Sequence, residues 1–181
     1  FSPVYTFSTS NTDGLTTFNW TNDNTEIGLT DSGQGGIPSF QVVNSTESTI
    51  SATISVTPSY ENNGTICVGD PSTFTISVNP SPVMNIVEDI FLCSNEITSI
   101  IDFSTLNTDG VTTYQWINDN ISIGLPESGN GDIPSFTALN SGLTTQVANI
   151  SVTPTYTFDG NTCVGLAQDF TISVSSEIII L

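Results

Sequence analysis

Apolar and polar residues alternate with period two along most of this chain, and no stretch carries the three-to-four-residue period of an amphipathic helix. In TISATISV (49–56), Ile50, Ala52, Ile54 and Val56 fall on one face, with Ser and Thr on the other. In STFTISV (72–78) the inward set is Phe74, Ile76 and Val78, and in TTFNWT (16–21) it is Phe18 and Trp20. The same reading predicts strands at IPSFQVV (37–43), NIVEDIF (85–91) and ITSIIDFS (97–104). Asp-Gly, Ser-Gly and Asn-Gly pairs punctuate these runs and mark turns.

The pattern is written twice. Shifting the sequence by 96 places Trp20 on Trp116, Asp13-Gly14 on Asp109-Gly110, Pro58 on Pro154 and Cys67 on Cys163, with no gap. Over residues 5–78, 42 of 74 positions are identical to their counterparts. Such likeness between adjacent copies is the mark of tandem duplication. The expected organisation is therefore two domains, 1–82 and 83–181, joined at the stiff Asn79–Val83 stretch (NPSPV). Seven or so short strands in each copy, rich in β-branched residues, predict tandem immunoglobulin-like β-sandwiches strung as a rod, with the tryptophan of each copy in its core.

The alignment shows two irregularities. Residues 85–96 (NIVEDIFLCSNE) open the second copy, but the first copy has no counterpart for them, so it is expected to lack its first strand. The terminal Glu177–Leu181 (EIIIL) replaces the expected connector. It reads either as the start of a passage into a third copy, the chain being excised from a longer one, or as a strand lent to another subunit. Cysteine spacing adds a further point. Cys67 and Cys163 are equivalent while Cys93 stands alone. Either the three are free thiols, or each full repeat holds an early and a late cysteine bridged to one another. The second reading pairs Cys93 with Cys163 and places the partner of Cys67 upstream of the chain.

Charge changes the picture most. Among 181 residues there is no Lys, Arg or His, against 18 Asp and Glu, for a formal charge of −18. Without His there is no Ser-His-Asp triad; without Lys, no Schiff base or P-loop; without Arg, no clamp on a transferring phosphoryl group. Nucleic acids and anionic membrane surfaces are excluded as partners, because both are bound by neutralising phosphate with Lys and Arg. No apolar run approaches the roughly 20 residues of a membrane-crossing helix. A pair of carboxylates can hydrolyse glycosides unaided, but the copy-specific Glu26, Glu47 and Glu61 lie in separate segments, so no enzyme is expected.

A surface of uncompensated carboxylates favours a hard divalent cation, Ca²⁺ before Zn²⁺. The candidate ligands are Asn22, Asp23 and Asn24 with Asp13, and their counterparts Asn118, Asp119 and Asn120 with Asp109. Glu88 and Asp89 are a further candidate near the linker. The competing reading of each Asn-Asp-Asn run is a turn whose side chains bind backbone amides. Trp20 and Trp116 read as core residues or as a sugar-stacking surface, and Tyr60, Phe91 and Phe158 are the aromatic residues left for a carbohydrate-binding module.

Four paired motifs carry a family resemblance: WTNDNTEIGL (20–29) with WINDNISIGL (116–125), S-G-x-G-x-I-P-S-F (32–40, 128–136), ISVTP (54–58, 150–154) and C-V-G…F-T-I-S-V (67–78, 163–174). Together they resemble the PKD-like, immunoglobulin-fold tandem repeats of giant Bacteroidota-type cell-surface proteins, including gliding-motility adhesins, and CSNE (93–96) resembles the early cysteine segment of those repeats. The resemblance covers nearly the whole chain. It implies an extracellular, cell-surface location reached through type IX secretion. The role it implies is an extended stalk or adhesive filament that contacts neighbouring repeats and an unknown surface or glycan ligand. Assembly by strand exchange, as in a pilus-like subunit, and carbohydrate binding are the alternatives.

Overall fold

The computed structural model describes residues 1–176; the expectations attached to Glu177–Leu181 lie outside the described residues. The chain is all-β and divides into two compact units between Pro80 and Ser81. The two residues beyond that point belong to the second unit because its own groups hold them. Asn107 Nδ2 donates to the Ser81 carbonyl (3.2 Å), and Pro82 lies against Gly165.

Unit 1 contains β1 (Leu15–Asn22), β2 (Ser32–Gln34), β3 (Ile50–Asn62), β4 (Thr65–Val68) and β5 (Ser72–Val78). All pairings are antiparallel, and the long β3 is the hub. It has β1 along one edge, and β4 followed by β5 in tandem along the other. Unit 2 contains β6 (Ile90–Cys93), β7 (Val111–Asn118), β8 (Ser128–Asn130), β9 (Gln146–Phe158), β10 (Asn161–Val164) and β11 (Gln168–Ser175). There β7 to β11 repeat the arrangement of β1 to β5, residue for residue at the spacing of 96. Strand β6 is added outside β11 in parallel, pairing Ile172 with Ile90 and Ser175 with Cys93.

A proline in the middle of a hub strand normally breaks its ladder. Pro58 escapes because its carbonyl accepts from Gly69 N–H (2.9 Å), at the place where β4 has left β3 and β5 has not yet begun. Its missing N–H faces the same gap. Pro154 and Gly165 repeat the device (2.9 Å), which explains the Pro that ends each ISVTP motif.

Three of the expected strands differ in the structure. IPSFQVV forms no strand: it makes a single β-bridge, Tyr5–Ile37, and isolated backbone bonds from Ser2 N–H to the Phe40 carbonyl and from Val43 N–H to the Ile27 carbonyl. ITSIIDFS is reduced to isolated bridges, Ile97–Thr137 and Ile101–Ile133, and only the end of NIVEDIF joins the sheet. These segments run extended against the sheet and supply Ile37 in unit 1, and Ile101, Phe103 and Ile133 in unit 2, to the two cores. Each unit is thus a regular sheet covered by a largely irregular extended layer, consistent with a β-sandwich. Backbone groups of the second layer are satisfied by side chains as well as by strand pairing: Ser2 Oγ accepts from Phe40 N–H (3.1 Å), and Thr98 Oγ1 accepts from Phe136 N–H (2.9 Å).

The expected Cys93–Cys163 disulfide is absent, and all three cysteines are free. Sheet register shows why. Cys163 pairs with Tyr156 near one end of β9, whereas Cys93 pairs with Ser175, one residue past the Val174–Gln146 pair at the other end. The two are separated by roughly 36 Å of strand at about 3.3 Å per residue. A bridge requires Cα atoms within about 7 Å.

Candidate functional site

The candidate metal loops grow from the inward face of β1 and β7. Alternation carries Phe18, Trp20 and then Asn22 to the core side, so a polar residue occupies a core position at the strand end. Asn22 and Asn118 are both buried. The cost of burying an amide is offset only if its donors and acceptor find partners. Asn22 Nδ2 donates to the carbonyls of Leu29 (3.0 Å) and Thr30 (3.2 Å), and its Oδ1 accepts from Asn24 N–H (3.0 Å). Asn118 makes the same three bonds, to Leu125, Pro126 and Asn120.

The next two residues continue the pattern. Asn24 Oδ1 caps a 3-10 turn (Thr25–Ile27) by accepting from Glu26 N–H (3.0 Å), while its Nδ2 reaches Ser51 O (3.1 Å). Gly28 closes that turn at φ +91°, where a Cβ would stand 2.3 Å from the Gln41 carbonyl. Asp23 Oδ1 accepts from Thr53 N–H (2.6 Å), tying the loop to β3. In unit 2 the tie is doubled: Asn149 donates to Asp119 through both its backbone N–H (2.7 Å) and its side-chain Nδ2 (2.6 Å). These bonds, the side-chain one foremost, hold the Asp119 carboxyl below the usual carboxylate range.

Asp13 and Asp109 do not join these loops. Each lies in the turn before its strand, at the opposite end from the Asn-Asp-Asn run, about 25 Å away for an eight-residue strand at roughly 3.3 Å per residue. Their role is set by the glycine that follows. A Cβ on Gly14 or Gly110 would come within 2.7 Å of the ring of Tyr60 or Tyr156, so Asp-Gly is the seat of that tyrosine. Tyr156 is fully buried and its hydroxyl donates to Thr108 O (2.9 Å). Asp89, the other cation candidate, accepts from Thr171 N–H (2.7 Å) and so fastens the parallel strand pair. Among the described residues no three Asp, Glu or Cys side chains come together as a bound metal would require. A depression of about 700 Å³ does carry Asp119, Glu127 and Asp169 on its wall.

Trp20 and Trp116 are buried at 4% and 2% exposure, with Gly33 and Gly129 lying directly over their indoles. A Cβ on either glycine would be 2.2 Å from the ring, so the first Gly of S-G-x-G belongs to the tryptophan and the pair offers no stacking surface. Phe91 alone among the aromatic residues proposed for sugar binding is fully presented, at 77% exposure.

The sequence did not reveal what the carboxylates do in a protein without cations. Besides Asp23, Asp89 and Asp119, Asp132 accepts from Phe103 N–H (2.8 Å) and Glu96 from Cys93 N–H (2.9 Å). The acidic groups clip loops to strands through backbone amides, the donors that remain when Lys and Arg are missing. The partners lie up to 82 positions away in sequence, so no local signal marks them. Tyr114, beside Asp132 in unit 2, has its hydroxyl pKa raised by burial and then by that carboxylate. No protein-family model matches the chain, and no curated protein is similar to it.

Proposed function

We propose that the chain is a load-bearing segment of an extracellular stalk or filament, built from PKD-like, immunoglobulin-type repeats and without catalytic activity. The observation that carries this reading is the parallel pairing of β6 with β11. These are the first and last described strands of unit 2, so tension applied at its two ends pulls them past one another. Every hydrogen bond between them is then loaded at once, instead of opening in turn as in a hairpin pulled apart at its ends. Asp89 adds a charge-assisted bond to the same seam.

The residues shared by the two copies support the same reading. Trp on Gly, the buried Asn loop, Tyr on Asp-Gly and Pro opposite Gly all build the scaffold. Duplication has therefore kept a frame. In this reading the uncompensated negative charge keeps neighbouring stalks apart by repulsion and removes every Lys and Arg at which a trypsin-like protease would cut. A surface or glycan ligand is then contacted elsewhere in the filament.

Single-molecule pulling of the chain between end tags tests this. Two separate rupture events are expected, with unit 2 yielding at the higher force and Asp89→Ala lowering that force alone. Rupture of unit 2 at a force no greater than that of unit 1 would overturn the load-bearing role.

A further inference from the structure

The outer edge of β5 in unit 1 corresponds to the edge of β11 that β6 occupies in unit 2. Among the described residues β5 pairs only with β3. The orientation of its backbone is known from its counterpart. Thr171 N–H donates outward to Asp89, and Ser175 O accepts outward from Ser94 N–H (3.2 Å), so odd-numbered residues of β11 face β6. Their equivalents Thr75 and Ser77 therefore turn their backbone groups to the uncovered edge. The core beneath is less well covered as well: Ile76 and Val78 are 7% and 9% exposed, whereas Ile172 and Val174 are completely buried.

The strand that fills this place in unit 2 has a simple chemistry. An acid at position 89 caps the Thr171 amide, Ile90 and Leu92 turn toward the core, and Phe91 faces out. The pattern of one acid followed by three large apolar residues, Asp89-Ile90-Phe91-Leu92, recurs at only one other place in the sequence, Glu177-Ile178-Ile179-Ile180.

We infer that the β5 edge is a docking site for residues 177–181 of a second copy of this chain. The tail adds as a strand parallel to β5, with Glu177 at the Thr75 amide and Ile178 and Ile180 over Ile76 and Val78. Main-chain bonds supply the affinity and the two inward side chains supply register, as in other strand-addition complexes. Donor and acceptor lie in different units, so the contact is head-to-tail and propagates into a linear polymer. Each junction would repeat the parallel seam of unit 2. The inference goes beyond the stalk reading, which stands equally well if units are joined within one polypeptide.

Sedimentation velocity of the intact chain at rising concentration is the test, with two variants. Thr75→Pro removes the outward N–H while sparing the ladder to β3, and a proline is tolerated at such an edge position. Ile178→Asp with Ile180→Asp changes the tail and leaves the sequence of every described strand intact. The wild-type chain is expected to form species at multiples of its 19.2 kDa mass. Each variant alone is expected to lose them. A mixture of the two should stop at a one-to-one dimer, since one brings an intact tail and the other an intact edge. A wild-type chain that stays monomeric at all concentrations would overturn the proposal, as would oligomers that survive the tail variant. So would an edge that binds an Asp89–Cys93 peptide but not the 177–181 peptide.

Discussion

Units 1 and 2 are near-copies that differ in how well each closes its core. Every fully buried apolar residue of the unit 1 core has its counterpart, 96 positions on, buried in unit 2. The reverse fails. Met84 and Leu92 have no counterpart in unit 1, and Ile101, Phe103, Ala138 and Phe170 are buried where Tyr5, Phe7 and Phe74 are only partly so and Val42 is exposed. Burying Met84 and Leu92 alone stabilises unit 2 by about 3–6 kcal/mol, at roughly 1.5–3 kcal/mol for each large apolar side chain. Two sequences this similar can therefore fold alike and still differ in strength. One added strand completes the hydrophobic seal and the edge ladder together.

The comparison is sharpest where both units depend on the same contact. Gly33→Ala and Gly129→Ala each drive a methyl into a buried indole, and each should destabilise its own unit by about 3 kcal/mol, the upper part of the usual overpacking cost. Differential scanning calorimetry would show one melting transition falling and the other holding. Equal shifts in both transitions from a single substitution would mean the units do not melt independently.

Leu92→Ala is expected to cost about 2–4 kcal/mol, as for other Leu→Ala changes in cores. It should bring unit 2 down toward unit 1 and leave unit 1 unmoved, which is measurable by urea denaturation followed through Trp20 and Trp116 separately in single-Trp variants. An unchanged unit 2 would remove β6 as the source of the difference. Asn22→Ala and Asn118→Ala each strand two buried carbonyls and one amide, for about 2 kcal/mol. The two losses should match, since the three bonds are the same in each copy.

The smallest predicted difference is electrostatic. Asp119 has a lowered carboxyl pKa in the folded chain, so the bonds from Asn149 contribute stability above the ordinary carboxylate range. That contribution fades as pH falls through the folded value, in the acid region below about pH 4. Asn149→Thr, which installs the residue found at the equivalent position 53, should raise the Asp119 titration midpoint toward the usual range. Carbon-detected NMR of the side-chain carboxyl would read it, and an unmoved midpoint would break the assignment. Addition of EDTA should leave both melting transitions in place, because the oxygens of Asn22, Asn24, Asn118 and Asn120 are already taken by backbone amides. A fall in either transition would restore the Ca²⁺ reading of the loops.

Much of this was legible along the chain. Period-two alternation marked β1, β3 and β5 with their counterparts, and the shift of 96 exposed the unmatched strand around Ile90. It failed for the second layer: IPSFQVV and ITSIIDFS have strand composition, yet their backbones pair only at isolated positions, with side chains such as those of Ser2 and Thr98 taking amides between them. Propensity does not report which partner a backbone amide finds. The candidate site was half legible. Both readings of the Asn-Asp-Asn runs use the same oxygens, and only the folded loop shows backbone amides already bound to them.

What the sequence determined by itself is the repeat, the all-β character and the chemistry excluded by the missing Lys, Arg and His. These follow from local alternation and residue inventory, which need no third dimension. Register along β9 decided against the Cys93–Cys163 bridge. It also decided which carboxylate meets which amide, and that β6 runs parallel to β11 while β5 pairs, among the described residues, with β3 alone. Those facts depend on distances between residues tens of positions apart, and such distances are fixed only when the strands are in place.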